Sequence, residues 1–242
     1  MRLFRDVCDH EIDVGLIKDV IRKAGGTSEK ECSLCGFTGY FTAFGSPPRW
    51  NARCPSCGSL ERHRQFALFL RNTPLKGTVL HFAPEECLAT LLKARGVQYT
   101  SADLNRSDVD LNLDIETIAL RHEQFDVIVC SHVLEHVNDR LALAELRRIL
   151  KPGGVLIAMV PIIEGWRTTY EDAAITIGRE RDMHFGQQDH VRYYGADFVQ
   201  RLMDSGFRVH AHTAFGKEAV RYALLMGEKI FVCERADVGG SR

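Results

Sequence analysis

The chain has 242 residues, 45% of them hydrophobic, and a formal net charge of −1 at pH 7. This length holds one domain of ordinary size and a small appendage, and the near-neutral charge gives no global basic field that would demand nucleic acid. No apolar run approaches the roughly 20 residues of a membrane helix, and the acidic N-terminal stretch is wrong for a secretion signal.

Residues 1–30 are predicted to be a leader that contains one weak amphipathic helix, from Val14 to Ala24. Its apolar residues recur at helical spacing, and Gly25 and Gly26 end it. We expect this helix to pack on the main domain or on a partner subunit, and we assign no chemistry to it.

Two CxxC pairs, separated by 18 residues, are the strongest local signal in the sequence. The four thiols that predict a tetrahedral zinc site are Cys32, Cys35, Cys54 and Cys57. A redox dithiol or a catalytic zinc is the alternative, but four thiol ligands leave no open position, so a structural Zn²⁺ is favoured. This use of cysteine also indicates a reducing compartment, and we expect the protein in the cytoplasm.

Residues 31–72 are predicted to form this zinc ribbon and a connecting helix that is rich in arginine. The basic residues are Arg49, Arg53, Arg62, Arg64 and Arg71. Leu60 to Leu70 has helical spacing, with Ser59 as the predicted N-cap. One interpretation is a surface that binds anions or RNA; the favoured one is a solvated face, or arginines paired with acids of the next domain. His63 is a candidate zinc ligand or substrate contact, although four cysteines already satisfy the metal.

The rest of the chain is organised around residues 78–103, which read as a strand, a tight loop, a helix and a second strand. Thr78 to Phe82 is a short apolar run, typical of a buried parallel strand. The loop after it has no glycine, so a dinucleotide pyrophosphate would find no close backbone cradle. Asp103 ends the second strand, about 20 residues on, where nucleotide-binding folds place an acid on ribose hydroxyls. The sequence therefore predicts a nucleoside ligand without phosphates.

The alternation of strand and helix continues beyond this unit. Predicted are an extended segment at 110–114, strands at 126–131 and 155–160, helices at 138–150 and 196–204, and antiparallel strands at 207–213 and 229–234. This order predicts an α/β fold over residues 73–235, with a Rossmann-like, mostly parallel sheet and helices on both faces. The long connection at 162–186 is expected to hold the substrate, and residues 236–242 to form a frayed tail.

Several motifs resemble, in order and spacing, those of class I S-adenosylmethionine-dependent methyltransferases of the type 11 group. They are VLHFAPEEC at 79–87, Asp103, FDVIVCSHVLEHV at 125–137, LKPGGVLIAMVP at 150–161 and HVRYYGADFVQRLMDSGF at 190–207. LEHV followed by LKPGG is the most specific part. The HFAPEE loop departs from the glycine-rich first motif usual in the class, and the ribbon lies outside the shared domain.

The resemblance implies S-adenosylmethionine as the cofactor, held along one rim of the sheet. The implied contacts run from the methionine end (His81, Phe82, Ala83, Pro84) through the ribose (Asp103, Leu104) and the adenine (Asp114, Ile115) to the sulfonium (Ser131, His132). Asp103 would accept hydrogen bonds from the ribose diol. The alternative for Asp103 and for Asp114 is an ordinary loop acid.

Methyl transfer to a hydroxyl needs a base, and histidine is suited to that role near neutral pH. His190 is the first candidate, with Asp189 or Glu135 as its orienting partner, and a purely structural role is the alternative. The further candidates are His132 and His136 as bases, and Arg167 and Arg192 as binders of an anionic acceptor.

Three functions are compatible with these features. The favoured one is an S-adenosylmethionine-dependent methyltransferase that O-methylates a small molecule or a glycan hydroxyl. The first alternative is an RNA methyltransferase that holds RNA with the ribbon and the arginine-rich helix. The second is a non-catalytic scaffold in which the ribbon binds other proteins.

Overall fold

The structure, a computed structural model, describes Gly26 and residues 28–236. The helix predicted from Val14 to Ala24 lies outside the described residues, and so do residues 237–242 of the predicted tail. Within the described part, no helix is long and apolar enough to cross a membrane.

The described chain alternates short strands and helices. The strands are β1 (Lys30–Glu31), β2 (Thr38–Gly39), β3 (Thr42–Phe44), β4 (Arg49–Arg53), β5 (Thr78–Phe82), β6 (Gln98–Asp103), β7 (Leu111–Asn112), β8 (Phe125–Ser131), β9 (Leu150–Met159), β10 (Tyr170–Glu171), β11 (Arg192–Tyr193), β12 (Phe207–Thr213) and β13 (Lys229–Arg235). The helices are α1 (Glu61–Asn72), α2 (Glu86–Lys93), α3 (Asp139–Ile149), α4 (Gly178–Phe185), α5 (Phe198–Asp204) and α6 (Gly216–Arg221), with one 3-10 turn at Leu134–His136.

A seven-stranded sheet forms the centre of the molecule, in the spatial order β12-β13-β9-β8-β5-β6-β7. Strands β5 to β9 run parallel, whereas β13 is antiparallel to both β9 and β12. The predicted Rossmann-like sheet and its antiparallel pair are therefore confirmed. Because β5 lies between β6 and β8, the strand order reverses there, and a crevice for ligands opens beyond the carboxyl ends of these strands.

Each face of the sheet is buried under helices, because successive residues of a strand point to opposite faces. On one face Leu80 and Ile128 pack with α3 and α5, and on the other Val79 and Val129 pack with α1 and α2. Burying one such side chain contributes about 1.5–3 kcal/mol. Helices on both faces therefore hold the strand ends, and with them the ligand crevice, in fixed positions.

The N-terminal part of the described chain consists of two small hairpins, β1 with β2 and β3 with β4. Few of its residues are buried. Cys32, Phe41 and Cys54 pack together with Ala223, which lies in the connection between α6 and β13. A core of this size cannot stabilise a module alone, so the hairpins depend on another source of stability.

Helix α1 is confirmed as an element, but the predicted Ser59 cap is wrong. The N-cap is Leu60, whose backbone N–H donates to Nδ1 of His63 at 3.1 Å. The side chain of His63, three residues further along the helix, thus accepts the otherwise unpaired N–H of the N-cap residue, as in a capping box. Ser59 instead contacts the sulfur atoms of the cysteine cluster.

Four other elements differ from the sequence prediction. The connection at 162–186 contains β10 and α4, and α6 precedes the last strand. Helix α4 was not predictable from periodicity, because its one buried residue, Phe185, lies beside exposed residues such as Met183. Strand β9 already begins at Leu150, so residues 151–154 belong to the strand rather than to a loop after the helix.

Candidate functional site

The four cysteines of the CxxC pairs form one cluster. Their sulfurs all lie within 4.8 Å of one another, with 3.6 Å from Cys32 Sγ to Cys57 Sγ and 3.8 Å from Cys35 Sγ to Cys54 Sγ. Sulfurs that lie about 2.3 Å from a tetrahedral zinc ion are about 3.8 Å apart. The spacing and the four thiol donors therefore fit a structural Zn²⁺ with no open ligand position.

The two cysteine turns are built alike, which explains their convergence. Gly36 donates its N–H to the Cys32 carbonyl and Gly58 to the Cys54 carbonyl, both at 2.9 Å. Both glycines have a left-handed φ, of +75° and +70°, which lets each chain turn back directly after its second cysteine.

Ser59 links the cluster to helix α1. Its Oγ lies 3.3 Å from Cys32 Sγ and 3.2 Å from Cys57 Sγ. Burial opposes ionisation of Cys32, but hydrogen bonds from Ser59 and from the backbone of Cys35 and Leu34 lower the pKa of this thiol to about 7. A thiol that ionises near neutral pH is ready to bind a metal ion.

The arginine-rich stretch is largely occupied by internal contacts. Arg49 Nε donates to Glu61 at 2.8 Å, and Arg62 pairs with Glu85 at the start of α2. Arg71 donates to the Ser33 carbonyl at 2.9 Å. These contacts agree with the favoured interpretation, in which the arginines pair within the chain instead of presenting a charged surface.

Arg64 is fully buried and holds the ribbon against the main domain. Its guanidinium donates to the carbonyls of Ser59, Ala52, Tyr222 and Ala223 at 2.6–3.1 Å. Arginine suits this position because its planar fork carries five donors. One of the five arginines considered for an RNA-binding surface is therefore an internal cross-link.

Asp103 stands at the carboxyl end of β6, as predicted. Its Oδ1 accepts from the backbone N–H groups of Asn105 at 2.9 Å and Arg106 at 3.1 Å, so it orders the following loop. No described residue donates to its Oδ2. The carboxylate thus fulfils the loop role weighed as the alternative and still offers one oxygen to a diol.

The loop after β5 has no glycine, but one of its residues adopts a backbone conformation that is typical of glycine. Ala83 has a φ of +46°, and its N–H donates to the Ala102 carbonyl at 2.8 Å. His132, at the end of the neighbouring strand β8, has a φ of +55°. Left-handed residues other than glycine are uncommon and are concentrated at functional sites. Here two of them stand at adjacent strand ends.

The side chains of the first motif are less open than the resemblance implies. His81 and Phe82 are buried, and His81 Nδ1 lies 3.0 Å from the Tyr99 hydroxyl. Burial lowers the pKa of His81 to about 4, so its ring is neutral. Pro84 is also buried, and its carbonyl accepts from Arg106 at 2.6 Å. A nucleoside would therefore meet mainly the backbone of this loop.

The positions proposed for the sugar and the base lie on the next loops of the same rim. Leu104 is 58% exposed, and Ile115 is buried in the core. Asp114 is exposed, and its Oδ1 accepts from the Glu116 N–H at 2.8 Å, so it acts at least as a turn acid. Ser131, at the end of β8, is buried, and its Oγ has no hydrogen-bond partner among the described residues.

A cavity of about 840 Å³ opens next to this rim. Its walls come from the ribbon (Phe44–Ser46, Arg49), helix α1 (Glu61, Arg62), the end of β8 (His132, Glu135, His136), the insertion (Ile162, Glu164, Phe185–Gln187, His190) and the turn before β13 (Leu225–Lys229). The predicted substrate connection contributes only part of the lining. The ribbon's contribution carried no sequence signal, because it depends on how the ribbon packs.

His132 lies between two carboxylates in this cavity. Its Nδ1 is 3.2 Å from Oε1 of Glu135, which is 1% exposed in its side chain, and its Nε2 is 4.0 Å from Oε1 of Glu228. Burial raises the pKa of Glu228. The Glu135 carboxylate accepts a hydrogen bond from Nδ1–H of His132. The lone pair of the neutral ring is therefore on Nε2.

Glu135, His136 and His190 form a second cluster, in which one donor atom of each lies within 4.8 Å of the others. His190 is buried, and its Nδ1 lies 3.1 Å from the Phe185 carbonyl. Burial lowers the pKa of His190. Of the predicted orienting partners, Glu135 lies in the cluster, whereas Asp189 contacts His136 at 3.3 Å.

Arg192, a candidate from the sequence for binding an anionic acceptor, is engaged inside the chain. It is buried, and it donates to the Leu134 carbonyl at 2.7 Å and to Glu171 at 2.9 Å. It therefore fixes the 3-10 turn that carries the cluster residues. Arg167 is exposed and does not line the cavity.

Comparison with known proteins supports the same fold. Residues 77–158 match the family model described as "Methyltransferase domain". An uncharacterized protein of Methanocaldococcus jannaschii is 49% identical over 43 residues, which are 18% of this chain and 19% of that protein. The chain thus matches only about a fifth of the length of this curated relative.

Solved structures of methyltransferases share the architecture at low identity. A Burkholderia thailandensis 1,6-didemethyltoxoflavin-N1-methyltransferase with bound S-adenosylhomocysteine has a TM-score of 0.51 and 15% identity, covering 71% of this chain and 76% of its own. An S-adenosylmethionine dependent methyltransferase from Mesorhizobium loti has a TM-score of 0.52 and 15% identity, covering 72% and 98%. At this identity the likeness establishes the Rossmann-like methyltransferase fold.

Proposed function

We propose that this chain is an S-adenosylmethionine-dependent methyltransferase that methylates a hydroxyl of a small molecule or a glycan. The observation that carries the proposal is the position of His132. It directly follows Ser131, the last residue of β8, at the rim where the cofactor is expected, and it also lines the adjoining cavity. His132 would therefore be within reach of both the methyl donor and the methyl acceptor.

Several features of the rim suit the cofactor. The left-handed backbone at Ala83, the available Oδ2 of Asp103 and the unpartnered hydroxyl of Ser131 would contact its methionine, ribose and sulfonium ends. When bound, S-adenosylmethionine supplies a methyl group that is already activated on a sulfonium. The protein then has to position the acceptor oxygen and remove its proton.

His132 is the proposed base. Its Nε2 would take the proton of the acceptor hydroxyl as the new oxygen–carbon bond forms and the sulfur–carbon bond breaks. Glu135 fixes the ring through Nδ1, which is the arrangement expected of an oriented base. His190, the first candidate from the sequence, is less suitable because it is only 4% exposed, whereas the His132 side chain is 26% exposed.

The ribbon takes part in this proposal as a wall of the acceptor cavity. Residues 31–72 would complete a site whose cofactor half belongs to residues 73–235, and the four thiolates would hold one structural Zn²⁺. Thiolates of this kind persist in a reducing compartment, so the cytoplasm is the proposed location. A walled cavity of about 840 Å³ suits a small molecule or a short glycan.

RNA is the less favoured acceptor, because Arg49, Arg62 and Arg64 are engaged inside the chain. The distinction can be measured. RNA binding through phosphates would weaken steeply with salt, and a small acceptor would not show that dependence.

The experiment uses calorimetry with S-adenosylhomocysteine and a transfer assay with labelled S-adenosylmethionine against hydroxylated small molecules, glycans and RNA. We expect cofactor binding and methylation of a hydroxyl compound. His132→Gln should lower turnover about 100-fold or more while S-adenosylhomocysteine still binds. His122→Gln, which alters an exposed histidine outside the cavity, is the matched control.

Failure to bind the cofactor at millimolar concentration would refute the proposal and favour the scaffold alternative. Salt-sensitive methylation of RNA would replace the proposed acceptor. Full turnover of the His132→Gln variant would reject His132 as the base.

A further inference from the structure

The second cluster, Glu135 with His136 and His190, has the composition of a metal site. Two imidazoles and one carboxylate meet with their donor atoms within 4.8 Å, in a pocket that opens to the acceptor cavity. Glu135 and His190 are buried, and His136 is about a quarter exposed in its side chain. Donors about 2.1 Å from one ion are about 3–4 Å apart, so small side-chain rotations would close the site.

In both imidazoles Nδ1 is held by a backbone carbonyl, which leaves Nε2 available to a metal ion. His190 Nδ1 lies 3.1 Å from the Phe185 carbonyl, and His136 Nδ1 lies 3.3 Å from the Asp189 carbonyl. A carbonyl only accepts, so both Nδ1 atoms carry the proton and both Nε2 atoms keep a lone pair. Metal-binding histidines are oriented in this way by their second nitrogen.

Glu135 supplies an independent observation. Its Oε1 is engaged by His132, but its buried Oε2 has no hydrogen-bond partner among the described residues. A buried carboxylate oxygen without a partner costs roughly 1–3 kcal/mol or more. A bound cation at this oxygen would remove that cost.

We propose that Glu135, His136 and His190 bind a divalent transition-metal ion, at a site separate from the four-cysteine cluster. Two imidazoles and one carboxylate favour ions such as Mn²⁺, Fe²⁺, Co²⁺ or Zn²⁺ over Mg²⁺, which prefers oxygen ligands. Three protein ligands leave coordination positions open, unlike the four-thiol site.

The open positions would hold oxygen atoms of the methyl acceptor, which points to a compound with two neighbouring oxygen donors, such as a vicinal diol. This assignment of the acceptor class rests on the proposed methyltransferase function. The ion would favour loss of the hydroxyl proton, which His132 is placed to receive. The metal site itself does not depend on the methyl transfer.

The test measures Mn²⁺ binding by electron paramagnetic resonance in tag-free protein that carries one zinc ion per chain, in the ribbon, and no cofactor. Mn²⁺ avoids thiolates, so it reports the second site and not the ribbon. We expect one Mn²⁺ per chain in the wild type, and at least tenfold weaker binding in Glu135→Gln and in His136→Gln. His122→Gln should bind Mn²⁺ like the wild type.

His136→Gln keeps the test decisive if Glu135→Gln does not fold, because His136 is partly exposed. Absence of Mn²⁺ and Co²⁺ binding in folded wild-type protein would overturn the proposal, and so would unchanged binding in both variants. Calorimetry with S-adenosylhomocysteine on the same samples separates the two ideas: cofactor binding without metal binding refutes only the metal site.

Discussion

Nε2 of His63 lies 2.8 Å from Oε1 of Glu85, which joins the helix after the ribbon to the first loop of the methyltransferase sheet. His63 Nδ1 accepts the Leu60 N–H, so the ring proton is on Nε2, the atom in close contact with the carboxylate. Arg62 pairs with the same carboxylate from the preceding position. Glu85 therefore ties the ribbon's helix to the strand end that is expected to meet the cofactor.

This junction should make stability depend on pH. Burial alone would raise the pKa of Glu85, but hydrogen bonds from His63 and Arg62 lower it from 4.5 to about 2. The stabilisation is fully present above pH 4.5 and is lost as the pH falls toward 2. We expect Glu85→Gln to lower the free energy of unfolding by about 2 kcal/mol at pH 7 and to flatten its change below pH 4.5. Urea denaturation at several pH values measures both, and an unchanged pH profile would contradict the assignment.

Arg64 should be among the most sensitive positions outside the sheet. Arg64→Met would leave several buried carbonyls without donors, which should cost about 3 kcal/mol or more. Arg53→Met, on an exposed residue of β4, should change the free energy of unfolding by less than about 0.5 kcal/mol. Urea denaturation compares the two. Similar losses in both variants would mean that Arg64 is no special cross-link.

Asp103 should matter for the cofactor and little for the fold. Asp103→Asn keeps an oxygen for the loop but loses the charge that would bind the ribose diol, so affinity for S-adenosylhomocysteine should fall about tenfold or more. Calorimetry measures this, and circular dichroism checks folding. Asp204→Asn, on the exposed side of α5, is the control. Equal affinity in the two variants would remove Asp103 from the proposed site.

Removal of zinc should loosen the ribbon first. We expect Cys54→Ser to lose one zinc per chain by elemental analysis, with faster amide exchange over residues 28–58. Cys87→Ser, on a cysteine outside the cluster, should keep its metal. If Cys54→Ser retained its zinc, the four-thiol site would be wrong.

The sheet and the cysteine cluster were predictable because their signals are local. A CxxC turn brings its two thiols together within four residues, and the apolar runs at 78–82 and 126–131 mark buried strands wherever they pack. The cavity was not predictable in the same way. His132, Glu228 and Arg49 come from distant stretches, and only packing brings them to one space.

The roles of Ser59, Arg64 and Arg192 could not be read from the sequence, for a shared physical reason. Ser59 has the composition of an N-cap, but the nearby sulfurs compete for its hydroxyl. Arg64 and Arg192 look like surface charges because the sequence does not show which buried backbone carbonyls need a hydrogen-bond donor. A buried arginine that binds carbonyls is a tertiary feature and leaves no periodic trace.

Phe44, Gly45, Ser46 and Arg49 form one wall of the cavity, whereas Ala83 and Asp103 lie outside its lining. In the proposed function, binding of the acceptor and binding of the methyl donor therefore belong to separate stretches of chain. Changes in the tip of the β3–β4 hairpin would redirect the choice of acceptor while the donor contacts stay as they are. That hairpin is the place to begin when this scaffold is adapted to a new compound.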